Sequence, residues 1–317
     1  MKKIRKTQTI ALIFLVLAGL GLSGLRVAAA PSAEEFKKIK VAIPDQSTAK
    51  PKKPRKLLVF SIAWGYKHSA IPYGKAAITA MAKKTKAFEV TVSDDLSHFE
   101  PANLKGYDAV VFNNTNNEIF LPANFGKLQG AAREQAIEKD KRLKKSLVDF
   151  LAGGKGLMVI HAGVASFRQW PEYGKIIGAR FENHPWNAGS TITLKIEDSL
   201  HPLSLAFPTS RFEVTDEIYQ FKEFDRRKLR VLFSIDTSGL DLKNKAGIRR
   251  TDGDFALSWI KDYGRGRVFY SALGHQHDIF WNKTILQHYL DGIQYALGDL
   301  PATTESIPAP KQEDRSD

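Results

Sequence analysis

Short apolar runs, rich in β-branched and aromatic residues, recur along this chain with helix-period patterns between them. That alternation limits the fold more than any other feature. The runs at 57–62, 109–112 and 156–160 have the length and near-continuous apolar character of buried strands, and 88–92 reads as a further strand. Between them, Ile71, Ala76, Ile78, Ala80 and Met81 mark one helix, whose first turn tolerates Pro72. A long charged helix around 133–145 runs up to the stop signal Gly153-Gly154. Strand and helix in alternation predict an α/β protein with a largely parallel central sheet. The C-terminal half is richer in strands, at 191–196, 231–235, 255–260 and 268–272. A closing helix at 281–297 shows an apolar stripe through Ile285, Leu286, Tyr289, Ile293 and Ala296.

The ends of the chain have a different character. Residues 1–29 read as a signal peptide, with Lys2, Lys3, Arg5 and Lys6 ahead of an apolar run at 10–22. Cleavage is expected after Ala29, since a cut after Ala30 would leave Pro31 at the junction. The expected location is therefore periplasmic or secreted. No other run is long and apolar enough to span a bilayer, so no stable membrane span is expected once the signal is removed. Residues 30–55, rich in Lys and Pro, read as a solvated linker. Residues 56–298 read as one domain and 299–317 as a disordered tail. The net charge of +13 is concentrated near the N-terminus, because 57–317 holds 34 basic against 31 acidic residues. No basic face for nucleic acid is expected on the folded domain.

The chain has no cysteine and eight histidines, which removes thiolate chemistry and leaves imidazole as the residue for moving protons near neutral pH. In an open α/β sheet, ligands settle outside the carboxyl ends of the strands. His68 follows the first strand, Asn113 and Asn114 the third, His161 ends the fourth, and His275 and His277 follow the last. Two further pieces are expected in loops. Arg180-Phe181-Glu182-Asn183-His184-Pro185-Trp186 mixes aromatic planes with a histidine and an amide, a combination suited to sugars. In Thr215-Asp216-Glu217-Ile218-Tyr219, Glu217 and Tyr219 share a side if the segment is extended. Glu217 then serves as general base, metal ligand or orienting partner, whereas Asp216 reads as a loop hydrogen-bond acceptor.

The catalytic candidates are thus His68, His161, His184, Glu217 and His275, with Asn113, Asn114, Trp186 and Tyr219 as substrate contacts. No cofactor is certain from sequence. A divalent cation such as zinc would suit three histidines plus a carboxylate, with His68, His161, His184 and His275 as candidate ligands. His201, in Asp198-x-x-His201-Pro202, reads as part of a turn, and His98 and His288, without polar company, as structural. There is no G-x-G-x-x-G after a strand, no P-loop and no H-E-x-x-H.

Taken in order, several of these segments resemble the ThuA-like (trehalose utilisation) family. They are Gly65-Tyr66-Lys67-His68-Ser69-Ala70-Ile71, Val159-Ile160-His161-Ala162, Phe181-Glu182-Asn183-His184-Pro185-Trp186, Asp216-Glu217-Ile218-Tyr219 and Gly264-Arg265-Gly266-Arg267-Val268-Phe269-Tyr270-x-x-Leu273-Gly274-His275. The Asp198-x-x-His201-Pro202 segment belongs with them, and the likeness covers roughly 56–298. It implies a class I glutamine-amidotransferase-like, flavodoxin-like three-layer α/β/α sandwich. It also implies sugar metabolism connected with trehalose and 3-keto disaccharides. True amidotransferases of that group carry a cysteine nucleophile at the turn where His161 is placed here, so glutamine hydrolysis is excluded. Two departures are visible: Phe255-Ala256-Leu257-Ser258-Trp259 lacks the usual proline, and the 115–145 region is expanded. The expected function is an exported enzyme with a small-molecule carbohydrate substrate and histidine acid/base chemistry, metal-assisted or not, of lyase, hydrolase or isomerase type. A non-catalytic carbohydrate-binding module using the same cleft is the alternative. Oligomeric state stays open.

Overall fold

A computed structural model describes residues 29–308, so the leader expected at 1–29 lies outside the described residues except for Ala29. Among these residues the strands are β1 (Lys56–Phe60), β2 (Glu89–Val92), β3 (Ala109–Asn113), β4 (Gly156–Ile160), β5 (Arg180–Ile196), β6 (Arg211–Lys222), β7 (Arg230–Ile235), β8 (Ala256–Tyr263) and β9 (Gly266–Ser271). The helices are α1 (Ala33–Ala42), α2 (Ile71–Thr85), α3 (Pro101–Leu104), α4 (Gly130–Ala152), α5 (Pro171–Ile177) and α6 (Lys283–Leu297). One sheet runs in the order β2-β1-β3-β4-β9-β8-β7-β5-β6. Its first five members pair in parallel, as the apolar runs predict, in the order 2-1-3-4-9, where β9 takes the place of the fifth strand of a doubly wound 2-1-3-4-5 sheet. Chain direction across the sheet reverses between the β1–β2 and β3–β4 connections. Right-handed crossovers therefore put α2 and α4 on opposite faces.

Residue choice explains the tight packing at the centre. A Cβ on Gly156 would stand 2.0 Å from the Ala296 carbonyl oxygen, so only glycine lets α6 lie this close to β4. The helix α6 starts at Asn282, whose side chain accepts from the Ile285 amide, and ends at Gly298 in the left-handed region. Its stripe residues Ile285, Leu286, Tyr289, Ile293 and Ala296 are all buried.

The sheet does not lie flat. In a flat sheet β6 would be five strands, or about 24 Å, from β4. Yet the Tyr219 hydroxyl on β6 is 2.8 Å from His161, which follows β4. Three register shifts along the β5–β6 pair, between Phe181 and Ser190, provide the curvature. The two segments expected as loops, 180–186 and 215–219, are thus paired strands that curl back over the carboxyl edge of the parallel core.

Two end assignments need correction. Residues 30–55 do not form a solvated linker. Ser32 and Glu35 close a reciprocal capping box on α1, and Ile39, Ala42 and Ile43 are buried in the core. Beyond α1, the Ala49 amide donates to Gln294 at 3.0 Å and the Lys52 amide to Asp299 at 3.0 Å. The lysine-rich composition concealed apolar residues and backbone amides that find partners on and just after α6. The described tail is docked as well: the Thr303 carbonyl accepts from His201 at 3.2 Å and the Glu305 carbonyl from Arg230 at 3.0 Å. Residues 309–317 of the expected tail lie outside the described residues.

This N-terminal strap leaves a titrating group inside. Asp291 on α6 accepts from Thr48 at 2.5 Å and from Gln287 at 2.9 Å, and burial raises its pKa to about 6. A carboxyl that is harder to ionise folded than unfolded contributes most below pH 3.8, and that contribution is lost as pH rises through about 6. Asp291→Asn keeps an acceptor oxygen without the charge. It should stabilise the protein by about 1–3 kcal/mol at pH 8 and by almost nothing at pH 3.5. Denaturant unfolding at both pH values checks this, and equal effects would remove the explanation.

Candidate active site

His68, His161, Glu217 and His275 come together at the carboxyl edge of the parallel strands, with one potential ligand atom from each within 4.8 Å of all the others. His161 directly follows β4 and has φ +47°. For a residue other than glycine this is a strained turn, maintained only where surrounding contacts demand it. Here they do. Nδ1–H of His161 donates to the Ala272 carbonyl at 2.6 Å, and the Tyr270 hydroxyl donates to the His161 carbonyl at 3.2 Å. With Nδ1 as donor, Nε2 is the acceptor in the neutral ring, and it receives the Tyr219 hydroxyl at 2.8 Å.

His275 is placed by its backbone. Asp216 is wholly buried and accepts from the amides of Gly274 (2.6 Å), His275 (3.0 Å) and Gln276 (2.8 Å). This is the loop hydrogen bonding expected of it from sequence. Burial raises the Asp216 pKa, against the opposing pull of His161 and the backbone amides. Gly274, at φ +132°, leaves no room for a Cβ, which would meet Ile160 at 2.8 Å.

Glu217 is the hub. Its Oε2 lies 3.3 Å from His161 Nε2 and 3.2 Å from His275 Nδ1, and its Oε1 lies 3.5 Å from His184 Nδ1. Burial works to raise the Glu217 pKa, but the adjacent His161 and His275 imidazoles outweigh it and hold the carboxyl well below its usual range. His275 shifts the other way: burial lowers it, and the Glu217 hydrogen bond and charge raise it above the ordinary imidazole value. His68, 3% exposed, is pushed down to about 2 by burial and by the adjacent His161 and His275. It is therefore neutral, and its Nδ1 is buried with no hydrogen-bond partner.

Exposure is graded across the site. His68 and His161 are buried, the side chains of Glu217 and His275 are 12% and 15% exposed, and His184 is 45% exposed at the mouth. Tyr66, which sequence reasoning passed over, is 66% exposed and stacks on His275 with ring centroids 6.0 Å apart. Asn116 holds its loop, accepting from the Gly65 amide at 2.8 Å. The sequence signals for Tyr66 were its place two residues before His68 and its presence in the Gly65-Tyr66-Lys67-His68 segment that resembles the family.

Three expected substrate contacts are structural. Trp186 is buried edge-on against Phe255, centroids 5.3 Å apart, because it pairs with Ile218 and shares that residue's side of the hairpin rather than that of Glu217. Asn113 is fully buried and ties Ser61 Oγ (3.1 Å) to the Ile71 carbonyl (3.0 Å). Asn114 donates to the Gly274 carbonyl at 3.1 Å and accepts from the Ala162 amide, joining the ends of β3, β4 and β9. The fourth, Tyr219, is buried against His161. His277 lies outside the cluster, stacked on Tyr73 and bonded to Ser69 at 2.8 Å. His98 and His288 do have polar partners, Tyr107 (2.9 Å) and Ser258 (3.1 Å), but neither reaches the site.

The protein is a doubly wound α/β sandwich whose extra hairpin returns a carboxylate to histidines at the strand ends. The model of the ThuA family, described as trehalose utilisation, matches residues 56–296, and the chain belongs to that family. A ThuA-like protein from Bacteroides uniformis is similar in structure, with a TM-score of 0.55 at 19% identity over 77% of this chain and 92% of that one. Another, from Parabacteroides merdae, has a TM-score of 0.52 at 17% identity over 82% and 94%. No curated protein matches the chain. Among the described residues no helix is long and apolar enough to cross a membrane.

Proposed function

We propose that the protein is an exported sugar-processing enzyme acting on disaccharides or their 3-keto derivatives by histidine acid/base chemistry. The observation that carries this is the grouping of three imidazoles and a carboxylate within 4.8 Å, with a fourth imidazole at the open side. A carbon next to a ketone bears an acidic hydrogen, and removing that proton gives an enediolate. His184 is the exposed imidazole and reaches a bound sugar most directly, so it takes the role of base. Behind it, His275, whose pKa is raised by Glu217, is the hydrogen-bond donor that the enediolate oxygen meets. Collapse of the enediolate forms a C=C bond and breaks the adjacent glycosidic C–O bond. The proton now on His184 passes to the departing oxygen, so atoms and charge balance. Return of the proton to the neighbouring carbon gives isomerisation instead. The exposed plane of Tyr66 suits packing against the C–H face of a sugar.

The test is a panel of disaccharides and their 3-keto derivatives incubated with the purified full chain, reading loss of substrate and release of monosaccharide. Turnover is expected on the keto forms. Tight binding of a sugar without turnover on any of them would make the protein a binding module instead. Export rests on the basic and apolar leader, and α1 is capped at Ser32, just past the expected cut. N-terminal sequencing of exported protein should begin at Ala30, and a retained Met1 would discard the proposal.

A further inference from the structure

We infer that His68, His161, His275 and Glu217 bind one divalent transition-metal ion of the zinc type. This rests on the reading above only for the chemistry of the ion, not for its binding. The donor set is three imidazole nitrogens and one carboxylate oxygen, which suits zinc or its neighbours and not magnesium or calcium, whose sites are built from oxygen.

The geometry agrees. Ligand atoms 2.0–2.1 Å from a tetrahedral ion lie about 3.3 Å from one another. Glu217 Oε2 to His161 Nε2 is 3.3 Å, and Glu217 Oε2 to His275 Nδ1 is 3.2 Å. Those separations also suit hydrogen bonds, so by themselves they do not decide the matter. The His68 ring does. Its Nδ1 is buried with no hydrogen-bond partner, and its ring stands edge-on 4.9 Å from the His161 ring and 5.0 Å from the His275 ring, so an ion held among the three would give the cluster a shared partner. A cation supplies what three clustered imidazoles lack.

The surroundings hold the donors as metal ligands are held. His161 is oriented through its other nitrogen by the Ala272 carbonyl, which points Nε2 inward. Asp216 fixes the backbone that carries His275. Partial exposure of Glu217 and His275 provides an access route. Metal binding at His161 Nε2 would displace the Tyr219 hydroxyl, which has Glu217 as its next acceptor. Three neutral imidazoles and one carboxylate leave a divalent ion with a net positive charge. That ion then stabilises an enediolate oxygen beside His184.

The experiment is titration of chelator-stripped full chain with zinc and with cobalt, following heat and the visible cobalt absorption. One equivalent should bind tighter than about 1 μM, with the strong visible bands of low-coordinate cobalt. His68→Ala and His275→Ala should weaken binding by about 100-fold or more, and His98→Ala should leave it unchanged. Melting curves of each metal-free variant establish that it is folded. Wild-type chain that takes up less than a tenth of an equivalent, or a folded His68→Ala with wild-type affinity, overturns the site. Tight stoichiometric binding without turnover on any sugar supports the metal and removes the enzymatic reading. Turnover by protein that binds no metal does the reverse.

Discussion

His161→Gln should lower turnover by about 10³-fold or more while leaving sugar affinity within a few-fold. The imidazole is fully buried, so the sugar does not depend on it for contact area. What it supplies is one nitrogen beside Glu217 while the other is held by Ala272, so it positions the carboxylate that stands behind the base His184. A glutamine amide has a comparable reach but cannot keep both the Ala272 hydrogen bond and the acceptor that Tyr219 uses. One buried partner is left unpaired, at about 1–3 kcal/mol of stability. Activity must therefore be measured well below the melting temperature of the variant, alongside its circular dichroism. Folded His161→Gln with near wild-type turnover would move the active centre elsewhere. A binding module would keep its affinity and have no turnover to lose.

Asp216→Ala should have the largest effect on stability of any substitution near the site. Two opposing terms decide the sign. Removing a buried carboxylate relieves its desolvation, which is the dominant influence on its pKa. Removing it also strands the amides of Gly274, His275 and Gln276, each at about 1–3 kcal/mol when buried without a partner. Three amides outweigh one relieved charge, and a net loss of about 3–5 kcal/mol is expected after partial relaxation. Because the same three amides position His275, turnover should fall together with stability. Asp216→Asn, which keeps one acceptor oxygen, should lie between the two. Denaturant unfolding measures the first effect, and a loss below about 1 kcal/mol would show that Gly274 and β9 hold the loop without Asp216.

Much of this arrangement was legible before any coordinates. Apolar runs of strand length with helices between them led to the parallel core, and its order brings the carboxyl ends of β1, β4 and β9 to one edge. Hence His68, His161 and His275 were expected at one place from their position after strands. Glu217 and Tyr219 were singled out for their residue types and spacing, but they were expected in a loop. That β6 is a long strand bent by bulges in its partner could not be read, because a bulge is a relation between two strands and leaves no periodicity in either. Asn113, Asn114 and Trp186 show the opposite failure. Their chemistry suits a ligand, yet β3 and the hairpin turn them inward, where they satisfy the fold. The Lys/Pro-rich segment 30–55 misled through composition, since a minority of apolar residues and unremarked amides dock it on α6.

The linear chain by itself determined the class of sheet, the absence of thiolate chemistry and which strand ends carry imidazole. Those follow from side-chain pattern and local backbone preference. Only the tertiary structure decided that Glu217 lies between His161 and His275, that His68 is left with an unpartnered nitrogen, and that Trp186 is core. Partners and burial are set by residues distant in sequence, and nothing local in the sequence encodes which of them will meet.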